Sequence, residues 1–288
     1  MRSASPGKDT PRVSVVIPVL NAASVLPTCL DAIARQAKAP PFEVIVIDNG
    51  SQDDTAREAR AHRIGPRVIA EAARGPYAAR NAGIAAATGE VIAFTDADCE
   101  PEPGWLRAGV VAIDLGADLV GGSIVQRAST SPTVWERYDR ALYLDQRQYV
   151  TDQGFAATAN LFVRRRVFEG VGEFRPELVA SGDVEFGRRA SDAGFRLAFS
   201  PDACVLHRPR DTMRETWRLH RKLGSGFAEL ARNGIRPRPW RDPALKIRLG
   251  TVVDAVAADG PALRRRHLAP VHLVAMAARW IGRLTGRG

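Results

Sequence analysis

The stretch FEVIVIDNGSQDDTAREARAHR, residues 42–63, decides the fold. Val44 to Ile47 is an unbroken β-branched run. A strand this apolar belongs in a sheet covered on both faces, which means a largely parallel one. The run stops at Asp48, passes through the turn-forming set Asn49-Gly50-Ser51, and meets a polar helix pattern opened by Asp53 and Asp54. Acids there suit the positive end of a helix dipole. The unit is strand, turn, helix, with an acid at the carboxyl end of a core strand.

The same unit recurs on either side. RVSVVIPVLN (residues 12–21) is a second β-branched run, followed by Val25, Leu26, Cys29, Leu30 and Ile33 at helical spacing. Downstream come the short strand RVIAE (67–71), the Ala-rich helix YAARNAGIAAATG (77–89) stopped by Gly89, and the strand EVIAF (90–94). Repeated β-α units of this kind predict an α/β fold whose ligands bind beyond the carboxyl ends of the strands. The second half is less regular. DLVGGSIV (118–125) reads as a strand, Thr133 to Arg147 as one helix, and GFAATANLFVRRRVF (154–168) as a strand turning into a short helix. SGDVEFGRRASDAG (181–194) reads as a loop and an amphipathic helix, and FRLAFSPDACVLH (195–207) as two short strands.

EVIAF delivers two further acids, Asp96 and Asp98. On an extended segment, side chains two apart point the same way, so both carboxylates could reach one cation. Oxygen ligands in an open arrangement suit Mg²⁺ or Mn²⁺. Cys99 is a poor ligand for those ions and reads as packing. The ordinary alternative is a solvated turn. Asp48 could accept a hydrogen bond from a nucleobase imide, whereas a helix cap by Ser51 or Asp53 would explain its neighbours.

With 288 residues, 45% hydrophobic and 25% charged, the chain can build a large domain plus an appendage. Cys29, Cys99 and Cys204 are widely spaced, which argues against a disulfide framework or a zinc site. The first apolar run, Val13 to Leu20, is short and contains Pro18, unlike a signal sequence or a spanning helix. A cytoplasmic location is expected. Charge is uneven: residues 1–204 hold 23 Lys and Arg against 26 Asp and Glu, while residues 205–288 hold 18 against 6. A tail this basic suggests an anionic partner, such as phosphates, nucleic acid or an anionic membrane. Interleaved aromatics of the nucleic-acid-binding kind are not visible, so no nucleic acid is expected.

Five fragments, VSVVIPVLN, VIDNGSQDDT, GPYAARNAGIAAATGEVIAFTDADCEP, ATANLFVRR and SGDVEFGRR, follow the order and spacing of family 2 glycosyltransferases. The chain resembles these nucleotide-sugar-dependent enzymes of the GT-A fold from Val13 to His207. The resemblance implies a mostly parallel, Rossmann-like sheet flanked by helices, with a C-terminal helical extension. It divides the chain into a disordered N-terminus (1–10), a catalytic domain (11–207) and a basic helical extension (208–288). Within the catalytic domain, 11–125 would take the nucleotide and 126–207 the acceptor.

The same resemblance assigns roles. Asp48 would bind the base, most often uracil, with Pro18, Val19 and Asn21 lining base and ribose. Asp96 would lie by the ribose and the metal, and Asp98 would bind the divalent ion, Mn²⁺ or Mg²⁺, that bridges the diphosphate of a nucleoside-diphosphate sugar. Arg80 would lie near that diphosphate; a surface ion pair is the plainer reading. Asp183 would be the general base of an inverting hexosyl or related transfer. Many relatives carry Glu-Asp where this chain has Gly182-Asp183, so Glu185 stands as a second candidate. Thr158, Ala159 and Asn160 would lie under the donor sugar or acceptor, unless that strand simply packs. His207 would be a further metal ligand or a structural histidine.

Leu268 to Leu284 puts Leu273, Met276, Trp280 and Leu284 on one helical face, with Val271, Val274 and Ile281 beside them. Arg264, Arg265 and Arg266 precede it, and Arg279, Arg283 and Arg287 lie towards its end. Such a helix fits either a membrane interface, through residues 264–287 at the inner face, or the chain's own apolar surface. The acceptor could accordingly be lipid-linked, a polysaccharide or a small molecule. Competing classes fare worse. No G-x-G-x-x-G follows the first strand, against a dinucleotide oxidoreductase. PVLNAASVL stands where a sugar-nucleotide pyrophosphorylase would want a Gly- and Arg-rich loop. A non-catalytic nucleotide- or membrane-binding module with a degenerate pocket is the remaining alternative.

Overall fold

The computed structural model describes residues 10–234, 249–258 and 265–286. The expected disordered N-terminus, Thr10 apart, lies outside these residues, as do Arg264 and Arg287. The β-branched runs become β1 (Val13–Val19), β2 (Phe42–Asp48), β3 (Arg67–Ala70) and β4 (Val91–Thr95), all parallel. Four more strands follow: β5 (Cys99–Pro101), β6 (Leu119–Gln126), β7 (Asn160–Arg164) and β8 (Leu197–His207). They complete one eight-stranded sheet in the order β3-β2-β1-β4-β7-β6-β8-β5. β7 runs antiparallel to β4 and β6, and β5 to β8, while β6 and β8 are parallel.

Both faces are buried, as the unbroken apolar runs require. Val15, Val46 and Ala93 pack on one face against α1 (Leu26–Ala34) and α4 (Trp105–Asp114). Val16, Ile45, Ile47 and Phe94 pack on the other against α3 (Pro76–Ala86), α7 (Arg165–Val171) and α8 (Gly182–Asp192). Successive residues of each strand thus feed opposite cores, the period-two rule in its fully buried form. α2 (Thr55–Ala61) lies between β2 and β3 in sequence.

Several expectations need correction. Thr133 to Arg147 is two helices, α5 (Val134–Leu142) and α6 (Gln146–Gln153), because Leu144 takes a left-handed backbone (φ 64°) between them. The FRLAF and ACVLH segments are one strand, β8, whose pairing with β6 slips between Gly122 and Ile124 to accommodate a bulge around Pro201. The Ala-rich helix ends at Ala86, with Ala87 already extended, two residues before Gly89.

Three helices make the C-terminal layer: α9 (Met213–Arg232), α10 (Leu249–Ala258) and α11 (Arg265–Thr285). Tyr138 of α5 joins Val252, Val256, Leu268, Val271 and Ala275 in a third apolar cluster. α11 meets α9 backbone to backbone: a Cβ on Gly282 would fall 2.0 Å from the Arg221 carbonyl oxygen. This close crossing decides which side of α11 is covered. Val271, Ala275 and Ala278 are buried, whereas Leu273, Trp280 and Leu284 of the predicted apolar face point outward, 68%, 52% and 78% exposed. Among the described residues, no helix is long and apolar enough to cross a membrane.

Candidate active site

The parallel registers bring the acids to one edge. Asp48 ends β2 beside Val19 of β1, and Thr95 of β4 pairs with Asn160 at the start of β7. His207, the last residue of β8, pairs with Cys99. Asp96 to Cys99 is a turn rather than an extended segment, since the Cys99 N–H donates to the Asp96 carbonyl at 3.1 Å. The two carboxylates take different partners, whereas the sequence suggests one shared ion. Asp96 accepts from the Arg80 guanidinium at 2.7 Å, while Asp98 Oδ2 lies 3.7 Å from His207 Nε2.

Asp98, His207 and the Cys99 sulfur lie close enough for one ion, and Asp96 is outside that cluster. Burial pushes the Cys99 thiol pKa far up, which fits its reading as a packing residue. Asp98 opens to solvent on one side, yet the surrounding protein raises its pKa, His207 pulls it down and Asp96 raises it further. A carboxylate crowded in this way beside an imidazole is a donor set that a divalent cation fits, and that such a cation would relieve. His207 itself is buried, with Nδ1 unpartnered.

Asp183 lies in the first turn of α8, whose entry is set by stacked aromatics. Phe186 packs on Phe168 and Phe174, and Phe174 on Tyr77. Tyr77 then accepts the Gly182 N–H at 2.7 Å through its hydroxyl oxygen. A Cβ on Gly182 would fall 2.6–2.8 Å from the Tyr77 ring. That contact leaves no room for a side chain at position 182, because the ring occupies its space. Asp183 spends one oxygen on the Val184 N–H at 3.0 Å. Burial dominates its environment and raises its pKa, with Arg80 acting in the opposite sense.

The nucleotide candidates line the neighbouring edge. Asn21 adopts φ 52° and its side-chain oxygen accepts the Gln52 N–H at 2.8 Å, tying the β1 exit to the turn after β2. Asp48 accepts the Ser51 N–H at 3.0 Å, an Asx-type turn rather than a helix cap. Asp53 accepts the N–H of Thr55, the first residue of α2, and that of Ala23, so it caps the helix start and ties it to the β1 exit. Pro18 and Val19 are the last residues of β1.

Two expectations fail here. Glu185 is buried and ion-paired with Arg175 at 3.1 Å and Arg189 at 2.9 Å, so it braces α8 and is no base. Glu185→Ala should cost ~2–4 kcal/mol of stability by urea unfolding, because it strands two guanidinium groups. Turnover lost at unchanged stability would return Glu185 to the chemistry. Asn160 is fully buried: its amide donates to the Ser123 and Ala203 carbonyls, each at 2.8 Å, and accepts from the Trp105 indole. It ties β7 to β6 and β8 and has nothing left for a sugar. Ala159 packs in the core, and its carbonyl accepts from Thr95. Thr158 is buried and makes no side-chain hydrogen bond among the described residues.

Sequence reasoning missed Arg210. It lies over the Tyr143 ring at 4.6 Å, pairs with buried Asp139 at 3.3 Å, and feels the charge of Asp98. Its signal, the HRPRD run just past His207, was absorbed into the basic tail. A cavity of about 620 Å³ walled by Gln126, Arg147 and Phe199 touches this cluster only at Tyr143 and is offset from the carboxylates.

Comparison with known proteins follows this geometry. The family model described as Glycosyl transferase family 2 matches residues 14–172. Glycosyltransferase AglE of Haloferax volcanii is 39% identical over 222 residues, covering 75% of this chain and 73% of its own. Among solved structures, the mannosyltransferase PcManGT from Pyrobaculum calidifontis, in complex with GDP-Man and Mn²⁺, aligns with a TM-score of 0.64 at 22% identity. That alignment covers 97% of this chain and 88% of PcManGT. Glucosyl-3-phosphoglycerate synthase from Mycobacterium tuberculosis, bound to Mn²⁺, UDP and phosphoglyceric acid, aligns at 0.57 and 24% identity over 81% of this chain and 80% of its own.

Proposed function

This chain belongs to glycosyl transferase family 2 and has the GT-A fold, and from that premise we propose a metal-dependent, inverting transfer from a nucleoside-diphosphate sugar to an acceptor hydroxyl. The observation that carries the reading is the pairing of Asp98 with His207 at the end of β8, with half-buried Asp183 in the field of Arg80 and Asp96. The titles of two fold neighbours, one with GDP-Man and Mn²⁺ and one with UDP and Mn²⁺, support a nucleotide diphosphate and a divalent ion. A UDP-sugar is the expected donor.

In this reading Asp48, with Pro18, Val19 and Asn21, takes the base and ribose. Arg80, held by Asp96, faces the diphosphate, and one buried guanidinium N–H, at Nε, is still unspent. Asp98 and His207 hold the divalent ion, Mn²⁺ or Mg²⁺, which when bound neutralises the charge that builds on a departing nucleoside diphosphate. Arg210, braced by Asp139, adds positive charge on that side. Asp183 takes the proton of the acceptor hydroxyl from the opposite face of the sugar. Thr158 lies beneath the ring. The exposed Trp280 and Leu284 of α11, in a strongly basic tail, fit peripheral contact with an anionic membrane.

Release of nucleoside diphosphate from a panel of nucleotide sugars, with Mn²⁺ or Mg²⁺, tests the proposal. Metal-dependent turnover of at least one donor is expected. Absence of turnover together with absence of any nucleotide-induced thermal shift would leave a degenerate binding module.

A further inference from the structure

α9 brings a cation to the acceptor side of this site. Gly226 is the contact point: a Cβ there would fall 2.7 Å from Ala180 and 2.8 Å from the Ser181 hydroxyl, two residues before Asp183. Val179 N–H donates to Glu229 of the same helix at 3.0 Å. Lys222 lies four residues before Gly226, one helical turn away on the same face, and Arg218 one turn beyond that. Lys222 is open to solvent, yet its ammonium lies in the field of Asp96, Asp183, Arg80 and Arg210, as on the wall of an open cleft. It makes no hydrogen bond or ion pair among the described residues. Surrounding protein and the neighbouring Arg80 press its pKa down, a cost that a bound anion would remove.

Past Lys222 the surface changes character. Gly282 of α11 sits against the Arg221 backbone, and the same stretch of α11 exposes Trp280, Ile281 and Leu284. Arg218, Arg221 and Lys222 are all exposed on α9, while Trp280 and Leu284 lie on the side of α11 turned away from it. We propose that Lys222, supported by Arg218 and Arg221, binds a phosphate group carried by the acceptor, on the side of the site where Asp183 takes the acceptor's proton. This inference rests on the glycosyltransferase reading and names its acceptor class: one that carries a phosphate group near the hydroxyl that is glycosylated. The donor's own phosphates are a poorer match, since they belong at Asp98 and His207, and an in-line displacement puts the acceptor opposite the leaving group.

The test uses the full chain with Mn²⁺ and saturating UDP, so that the donor diphosphate position is filled. Decyl phosphate and the neutral decyl glucoside are then titrated calorimetrically. Decyl phosphate should bind at least tenfold tighter, Lys222→Ala should erase that preference, and Lys222→Arg should keep it. A preference unchanged in Lys222→Ala overturns the proposal. So does one that appears only without UDP, because the cation then serves the donor. Vesicles of phosphatidylglycerol distinguish a lipid surface: if Lys222→Ala weakens vesicle binding while leaving decyl phosphate untouched, the site reads headgroups and the proposal fails. Should UDP and Mn²⁺ themselves not bind, it is the glycosyltransferase reading that falls.

Discussion

Asp183→Asn should lower the turnover number for transfer by ~10³- to 10⁴-fold while leaving nucleoside diphosphate binding intact, because it removes the proton acceptor and little else. The amide can still accept the Val184 N–H through its oxygen, so the start of α8 should hold. Burial raises the Asp183 pKa above its ordinary value of 3.8. The folded state therefore holds that proton more tightly than the unfolded chain. Its stability falls as pH climbs from the ordinary value through the raised one, and an ionised Asp183 at neutral pH is a burden on folding. Asp183→Asn should accordingly melt a few degrees higher, on the order of 2–5 °C, by calorimetry at pH 7. The same shift fixes the pH profile. kcat/KM should decline with acid through the raised pKa, so its acid limb lies above pH 3.8, and the residual rate of the Asn variant should lack that limb.

Asp98→Ala is the second large effect. It should cut turnover by at least ~10²-fold and abolish the thermal stabilisation that Mn²⁺ gives together with UDP. The apoprotein should not be weakened. Asp98, like Asp183, is raised by its surroundings and by the like charge of Asp96, so its ionised form contributes nothing to folding at neutral pH. A variant inactive only because it unfolds would melt below the wild type without metal, and that comparison separates the two causes.

The strands and their acids were legible because both signals are local. Val44 to Ile47 and Val91 to Phe94 need cover on two faces whatever surrounds them, and Asp48, Asp96 and Asp98 follow immediately. Partners distant in sequence were not legible. Glu185 sits at the right spacing for catalysis, but Arg175 lies outside the motif and claims it. Asn160 belongs to a motif that suggests a sugar contact, yet Trp105, Ser123 and Ala203 together consume its amide. Which way α11 faces was left open for a related reason: periodicity ranks faces by hydrophobicity, whereas the α9–α11 crossing is made at small residues that let two backbones touch. Leu144, with a left-handed backbone and no glycine to announce it, hid the break between α5 and α6.

The account stands on a cation held between a crowded aspartate and a buried histidine, across from a single base. Anomalous scattering at the manganese edge, from crystals grown with Mn²⁺ and UDP, examines it most directly. The predicted density is one manganese peak touching Asp98 and His207 and the diphosphate oxygens, with uracil beside Asp48 and the Asp183 carboxylate free on the opposite side. Manganese bound elsewhere, or UDP seated away from the β1–β2 edge, would contradict it.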